Sequence, residues 1–359
     1  MTLTEQARRK RLTVRRSLLK WFDRNARDLP WRRSRDPYHV WVSEIMLQQT
    51  RVETVVPYFN RFIEKFPTVQ ELASGDPDDV LKLWEGLGYY SRAQKIHETS
   101  KIIVEKRQGI FPRTVDEWRQ LPGIGEYTAG AIVSIAYDVS APILDGNVKR
   151  VLARLFHIKS NIDDSSTIRS LWGLAELLVP SKNAGSFNQS LMELGARICT
   201  PRRPICAECP LRRICEACKK GSQEELPERR KRNPVPHYDI VAAAIRKNGR
   251  FLLGKRPFGG MLGGLWEFPG GKIEEGESHY QALIRESKEE LDIDVRPVEH
   301  VATVNHAYSH FTITLHVYLC EHIDGKPRAN YHSEIKWIPR AHFDRYAFPA
   351  ADLKFLSRL

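Results

Sequence analysis

The chain has no apolar run long enough to cross a bilayer, and it carries no internal repeat. Its first residues, MTLTEQARRKRLTVRRSLLKWF, lack the uninterrupted apolar core of a signal peptide. A membrane span, a solenoid and a secreted disulfide scaffold are thereby disfavoured, and a cytoplasmic location is expected. Cysteine is sparse, six in 359 residues. In a reducing compartment so few thiols point to metal or redox chemistry rather than disulfides. Acidic residues are short too: 44 against 56 Lys and Arg, a formal charge of +12. That excess fits a polyanionic partner, most simply nucleic acid.

A chain of 359 residues exceeds one ordinary domain. From Leu12 to about Cys218 the pattern is helical. Val52, Val55, Val56, Phe59, Phe62 and Ile63 share one stripe within the stretch 40–63, and Val148–Phe156 repeats apolar residues as an amphipathic helix. The segment KKGSQEELPERRKRNPVPH, 219–237, is charged, proline-punctuated and almost free of apolar residues, and reads as a linker. Beyond it, Ile240–Ile245 and Phe251–Leu253 flank an Asn248-Gly249 turn, a hairpin signal. Thr312–Leu319 reads as a strand and His279–Leu291 as a Glu-rich helix. The expected organisation is an all-α domain over 1–218, a linker over 219–237 and an α+β domain over 238–359.

Cys199, Cys206, Cys209 and Cys215 follow the spacing C-x6-C-x2-C-x5-C. Four thiolates in one loop can serve an iron–sulfur cube or a zinc ion. Zinc sites more often pair two C-x2-C units. Cys218 and Cys320 fall outside the pattern and are expected not to be ligands.

Leu121-Pro122-Gly123-Ile124-Gly125 lies between helical stretches and precedes Glu126-Tyr127. A glycine turn feeding a helix N-terminus offers free N–H groups to a phosphate without reading a base; an ordinary helix–turn–helix joint has the same composition. About 20 residues later come Asp145-Gly146-Asn147 at the start of the amphipathic helix, where either polar residue also suits an N-cap.

Hairpin, aspartate and cysteine loop, in that order, resemble the helix–hairpin–helix DNA glycosylase superfamily. Within it the finer resemblance is to the MutY adenine glycosylases. It is carried by Asp28-Leu29-Pro30-Trp31-Arg32, by Trp41-Val42-Ser43-Glu44-Ile45-Met46-Leu47-Gln48-Gln49-Thr50, and by Gly86-Leu87-Gly88-Tyr89-Tyr90-Ser91-Arg92.

That resemblance implies a helix–hairpin–helix domain holding a [4Fe–4S] cluster on the four cysteines. It implies Glu44 as the acid that protonates adenine N7 and Asp145 as the anion beneath the cationic sugar, a division of labour shared with glycoside hydrolysis. Trp31, Ile45 and Leu47 are expected to form an apolar wall that raises the pKa of Glu44. On residue type alone, Glu44 reads as a solvated helix carboxylate. Tyr127 stands where bifunctional relatives carry a Schiff-base lysine, so the implied enzyme is monofunctional. Gln48 and Tyr89 resemble the intercalating pair, although Tyr89 also suits a packed core aromatic. Leu29, Trp31, Arg32 and Gln189 match the adenine pocket, and Gln49, Thr50, Gly123, Gly125 and Asn147 are further expected DNA contacts. The implied partner is double-stranded DNA with 8-oxoguanine:adenine or guanine:adenine pairs, bound by a nucleoid-associated monomer.

In the second domain, Gly271-x5-Glu277-x7-Arg285-Glu286-x2-Glu289-Glu290 resembles the Nudix box. Glu286, Glu289 and Glu290 share a helix face and could hold Mg²⁺ or simply face solvent. Ser287 stands where an apolar residue is usual, and Asp292 where glycine is. In the MutY family this domain is Nudix-like and reads 8-oxoguanine through a Phe-Ser-His turn, matched here by Tyr308-Ser309-His310. Serine can distinguish the protonated N7 of the oxidised base from the bare acceptor of guanine. The competing functions are a bifunctional endonuclease III-like glycosylase/lyase, a nucleotide pyrophosphohydrolase in the second domain, and a non-catalytic DNA-binding protein.

Overall fold

The computed structural model describes residues 2–230 and 234–359; residues 231–233, within the expected linker, lie outside the described residues. The chain separates into two compact units: 1–73 with 98–232, and 74–97 with 233–359. In chain order the helices are α1 (Leu3–Asn25), α2 (Pro37–Met46), α3 (Val52–Lys65), α4 (Val69–Ser74), α5 (Pro77–Leu83), α6 (Ser91–Arg107), α7 (Val115–Arg119), α8 (Glu126–Tyr137), α9 (Gly146–Leu155), α10 (Ser165–Leu178), α11 (Ala184–Arg197) and α12 (Glu216–Lys219).

The first unit is built around α8, whose residues from Thr128 to Ser134 are all buried. Small residues let its neighbours approach closely. A Cβ on Gly130 would lie 2.4 Å from the Pro142 carbonyl oxygen, and one on Gly185 of α11 would lie 2.4 Å from that of Ser134. A main core joins α1, α8, α9, α10 and α11. Helix α9 bears out the amphipathic reading: Val148, Val151, Leu152 and Leu155 are buried. The stretch 40–63 is not one helix. α2 ends at Met46 and α3 starts at Val52, because Gln49 between them takes a left-handed φ of 57°. The stripe survives on α3, where Val55, Phe59 and Phe62 are buried.

The second unit carries strands β1 (His237–Lys247), β2 (Arg250–Lys255), β3 (Trp266–Glu267), β4 (Asp294–Ala307), β5 (Thr312–Asp324) and β6 (Glu334–Pro339), with α13 (His279–Leu291). The sheet order is β3-β2-β1-β5-β4, with β6 also on β2; β1 and β5 run parallel. Asn248 and Gly249, with φ of 50° and 73°, make the tight turn between β1 and β2. Helix α13 packs on one sheet face through Ala282, Leu283 and Leu291, and an aromatic cluster of Phe268, Phe343, Phe348 and Phe355 fills the other. Asp292 caps α13 at φ 55°, the left-handed conformation glycine usually supplies. Ser287 occupies a buried position as the apolar residue would.

Candidate active site

Several pieces of the first unit, α11 among them, meet at one pocket with about 710 Å³ of open space. The 3-10 turn Pro30–Arg32 brings Trp31 and Arg32, α2 brings Glu44, α8 brings Tyr127, and the N-terminus of α9 brings Asp145 and Asn147. Leu29, Thr50 and Gln189 line the same space. The apolar wall is Leu29, Trp31, Val40, Leu47, Ile135 and Met192. Ile45, expected in that wall, is buried but does not line the pocket.

Glu44 is 4% exposed on a helix buried from Val40 to Met46, which overturns the solvated reading. The Tyr127 hydroxyl donates to Glu44 Oε2 at 2.7 Å and lies 3.2 Å from Met192 Sδ. Burial raises the Glu44 carboxyl to about 7; the Tyr127 hydrogen bond opposes that rise, the Asp145 charge adds to it and Arg32 works against it. Burial, and then the nearby carboxylates, hold the Tyr127 hydroxyl protonated well past its ordinary range, so it remains a donor.

Asp145 is both an N-cap and a pocket residue. Its Oδ1 accepts from the Val148 amide at 2.6 Å and its Oδ2 from Asn147 Nδ2 at 2.9 Å. Burial raises its carboxyl, and these donors pull the other way. Asn147 Oδ1 in turn accepts from Arg150 at 2.8 Å, and Arg150 donates to the Gly195 and Cys199 carbonyls, each at 2.7 Å. Gly195 is required here, since a Cβ would come within 2.6 Å of Asn147 Cβ.

Sequence reasoning missed Glu193, 1% exposed in the helical run Leu191–Leu194. It accepts from Arg27 at 2.7 and 3.1 Å and from Arg32 at 2.9 Å. Burial alone would raise it, but the two guanidinium groups win and hold it below the usual carboxylate range. Glu193 thus fixes Arg32 at the pocket wall. A lone carboxylate in an apolar helical stretch, together with the basic pair Arg27 and Arg32, was the available signal.

Other expected contacts lie outside the pocket. Gly123 is exposed at φ 76°, and Gly125 caps α8 with open space where a Cβ would stand, so the hairpin leaves its amides accessible. Gln48 donates to Thr128 Oγ1 at 3.2 Å, and Gln49 is exposed. In the second unit, Arg92 donates to the Leu87 and Gly88 carbonyls at 3.3 and 3.0 Å, bracing the turn that holds Tyr89 at φ 49°. The Tyr89 hydroxyl is hydrogen-bonded to Ser309. Tyr308 stacks on Phe311 at 4.8 Å, while Ser309 and His310 are exposed.

The Nudix-box carboxylates are tied to donors of the protein itself. Arg285 donates to Glu277, Glu286 and Glu289 at 2.8, 2.9 and 3.2 Å, and Glu290 accepts from the Gly270 amide at 3.1 Å. Burial raises Glu290 to about 8. Glu286 and Glu290 are therefore not a solvated face, and Glu289 alone of the three is mostly exposed. Among the described residues, no three His, Cys, Asp or Glu side chains form a single-ion site.

Cys199, Cys206, Cys209 and Cys215 do come together, around a small cavity shared with Arg154. Cys218, expected not to be a ligand, lines it as well. Arg154, 1% exposed, donates to the Thr200, Pro201 and Leu226 carbonyls and approaches Cys199 Sγ at 3.3 Å. Burial and then the neighbouring thiols push Cys206 up to about 11 and Cys209 to about 12, so ionising them together needs a compensating cation. Four half-buried thiols gathered from one loop fit the all-thiolate donor set of an iron–sulfur group.

A near-neutral carboxyl and a second carboxylate at a helix N-terminus, behind a Gly-x-Gly hairpin in an all-helical unit, define a helix–hairpin–helix base excision glycosylase. Residues 42–176 match the model of the HhH-GPD superfamily base excision DNA repair protein, and 240–358 match the NUDIX domain. The chain is 36% identical to the adenine DNA glycosylase of Rattus norvegicus, across 94% of this chain and 76% of that one. It belongs to the adenine DNA glycosylase family, enzymes of base excision repair, and is a DNA N-glycosylase. Among solved structures it is similar to a thermostable thymine-DNA glycosylase (29% identity, TM-score 0.54, 61% of this chain and 100% of that chain). It is also similar to endonuclease III in a non-covalent DNA complex (25%, TM-score 0.51, 62% and 99%).

Proposed function

We propose that this enzyme hydrolyses the N-glycosidic bond of adenine paired with 8-oxoguanine, or with guanine, in duplex DNA, and leaves the backbone intact. The observation that carries the reading is the Tyr127–Glu44 hydrogen bond inside an apolar pocket that also holds Asp145.

Adenine is a poor leaving group until protonated, and the sugar gains positive charge as it departs. Glu44, raised to about 7, retains a proton near neutrality and delivers it to N7. Asp145, held by the Val148 amide and Asn147, supplies the anion beneath the sugar. Tyr127 positions Glu44 and offers no amine for a Schiff base, which supports a monofunctional reaction. The adenine must leave the stack, at a cost of a few kcal/mol. Leu29, Trp31, Arg32 and Gln189 receive it, Gln48 and Tyr89 fill the gap, and Gln49, Thr50, Gly123, Gly125 and Asn147 hold the backbone.

Residues 1–218 do this chemistry, 219–237 connect, and 238–359 read the opposite base through Tyr308, Ser309 and His310. The engagement of the Nudix-box acids with Arg285 and Gly270 supports a reader over a pyrophosphohydrolase. Cys199, Cys206, Cys209 and Cys215 hold a [4Fe–4S] cluster, which knits the loop that Arg150 and Arg154 tie to α9. The enzyme works as a monomer in the cytoplasm, on the nucleoid.

The test is single-turnover reaction of a duplex with one 8-oxoguanine:adenine pair, worked up with and without alkali. Adenine release with strand breakage only after alkali is expected. Breakage without alkali would reject the monofunctional reading, and no adenine release would reject the substrate.

A further inference from the structure

Five thiols surround the cysteine cavity, and a cubane has four corners for protein thiolates. The surplus thiol is set there by local geometry. Cys215 ends one 3-10 turn and caps α12, a single helical turn that brings Cys218 three residues on, back over Cys215. The full spacing is thus C-x6-C-x2-C-x5-C-x2-C. Cys206 sits in the 3-10 turn Cys206–Glu208 and lines the same cavity as Cys218, the neighbouring thiol that does most to raise its own. All five thiols are half-buried, and Cys199 is held against Arg154. Two neighbouring thiols that line one cavity are both in reach of the same corner.

Resting on the cluster assignment above, we propose that Cys218 is an alternative ligand for the corner assigned to Cys206, so that the cluster survives the loss of either thiol. The exchange is a simple substitution: the incoming thiol gives its proton to solvent and binds iron as thiolate, while the outgoing thiolate takes one up. No electron is transferred.

Iron and acid-labile sulfide per chain, with far-UV dichroism as the measure of folding, test this on the full chain. Cys206→Ala is expected to retain both at close to the wild-type ratio. Cys206→Ala/Cys218→Ala and Cys209→Ala are expected to lose them. Loss in Cys206→Ala as complete as in Cys209→Ala, or retention in the double variant, would overturn the proposal. A second measurement needs no variant: alkylation of the loaded wild-type chain, mapped by peptide mass. Label among the cavity thiols is expected on Cys206 and Cys218 alone; label on Cys199, Cys209 or Cys215 instead would overturn the exchange. A wild-type chain free of iron and sulfide would overturn the cluster assignment itself, and the exchange with it.

Discussion

The hydroxyl of Tyr127 donates to Glu44 Oε2 at 2.7 Å, inside a pocket whose burial raises that carboxyl to about 7. The bond stabilises the ionised form of Glu44, so tyrosine here restrains the proton affinity that burial creates. Base release needs Glu44 protonated, and its rate should therefore fall as pH rises through about 7. Tyr127→Phe keeps the ring and deletes the donor. Its alkaline limb should move to higher pH in a single-turnover pH profile. A limb that stays put, or moves down, would refute this account of Tyr127.

Glu44→Gln removes the proton donor and should slow base release by about 10²- to 10⁴-fold while duplex binding, read by a gel shift, stays near wild type. The same substitution changes stability with a defined sign. The folded carboxyl sits above its unfolded value, so its contribution is fully present below about 4.5 and is lost as pH rises through about 7. Above pH 7 the ionised, buried Glu44 works against folding by at most about 3 kcal/mol. Glu44→Gln should therefore melt higher than wild type at pH 8 and lose that advantage at pH 5. A variant less stable at pH 8 would contradict the burial argument.

Glu193 is bound by Arg27 and Arg32 and is 1% exposed. Glu193→Ala strands two partly buried cations, a loss of about 3–5 kcal/mol by comparison with other broken buried pairs. It also frees Arg32, whose charge already lowers the Glu44 carboxyl. Denaturant melts check the first effect. A pH profile with its alkaline limb below that of wild type checks the second.

The long periodic elements and the turn chemistry were legible in the residues. His279–Leu291 forms a helix over that same range, and Asn248-Gly249 joins β1 to β2. The pocket residues Leu29, Trp31, Arg32, Glu44, Tyr127, Asp145 and Gln189 are scattered over some 160 positions, and in the sequence only the family resemblance links them. What local pattern could not show was pairing at a distance. Glu193 looks like a helix carboxylate until Arg27 and Arg32 arrive from another element. Arg150 and Arg154 look like solvated positions of an amphipathic helix, but they are buried because carbonyls of the cysteine loop lie within reach. Cys218 falls outside the four-cysteine spacing, and only the turn of α12 brings it to the cavity.

The hydroxyls of Ser309 and Tyr89, two of the expected DNA contacts, are hydrogen-bonded within the second unit. A serine hydroxyl has one proton and two lone pairs, so Ser309 can keep Tyr89 and still accept from the N7 proton of 8-oxoguanine. Guanine lacks that proton. Ser309→Ala should therefore slow cleavage opposite 8-oxoguanine by about fivefold, the worth of one hydrogen bond near 1 kcal/mol, and leave cleavage opposite guanine nearly unchanged. Tyr89→Phe keeps the ring for stacking and releases Ser309, so it should preserve or raise the preference for 8-oxoguanine. Paired single-turnover rates on the two duplexes decide it. Equal slowing on both by Ser309→Ala would show that Ser309 shapes its loop and reads no base.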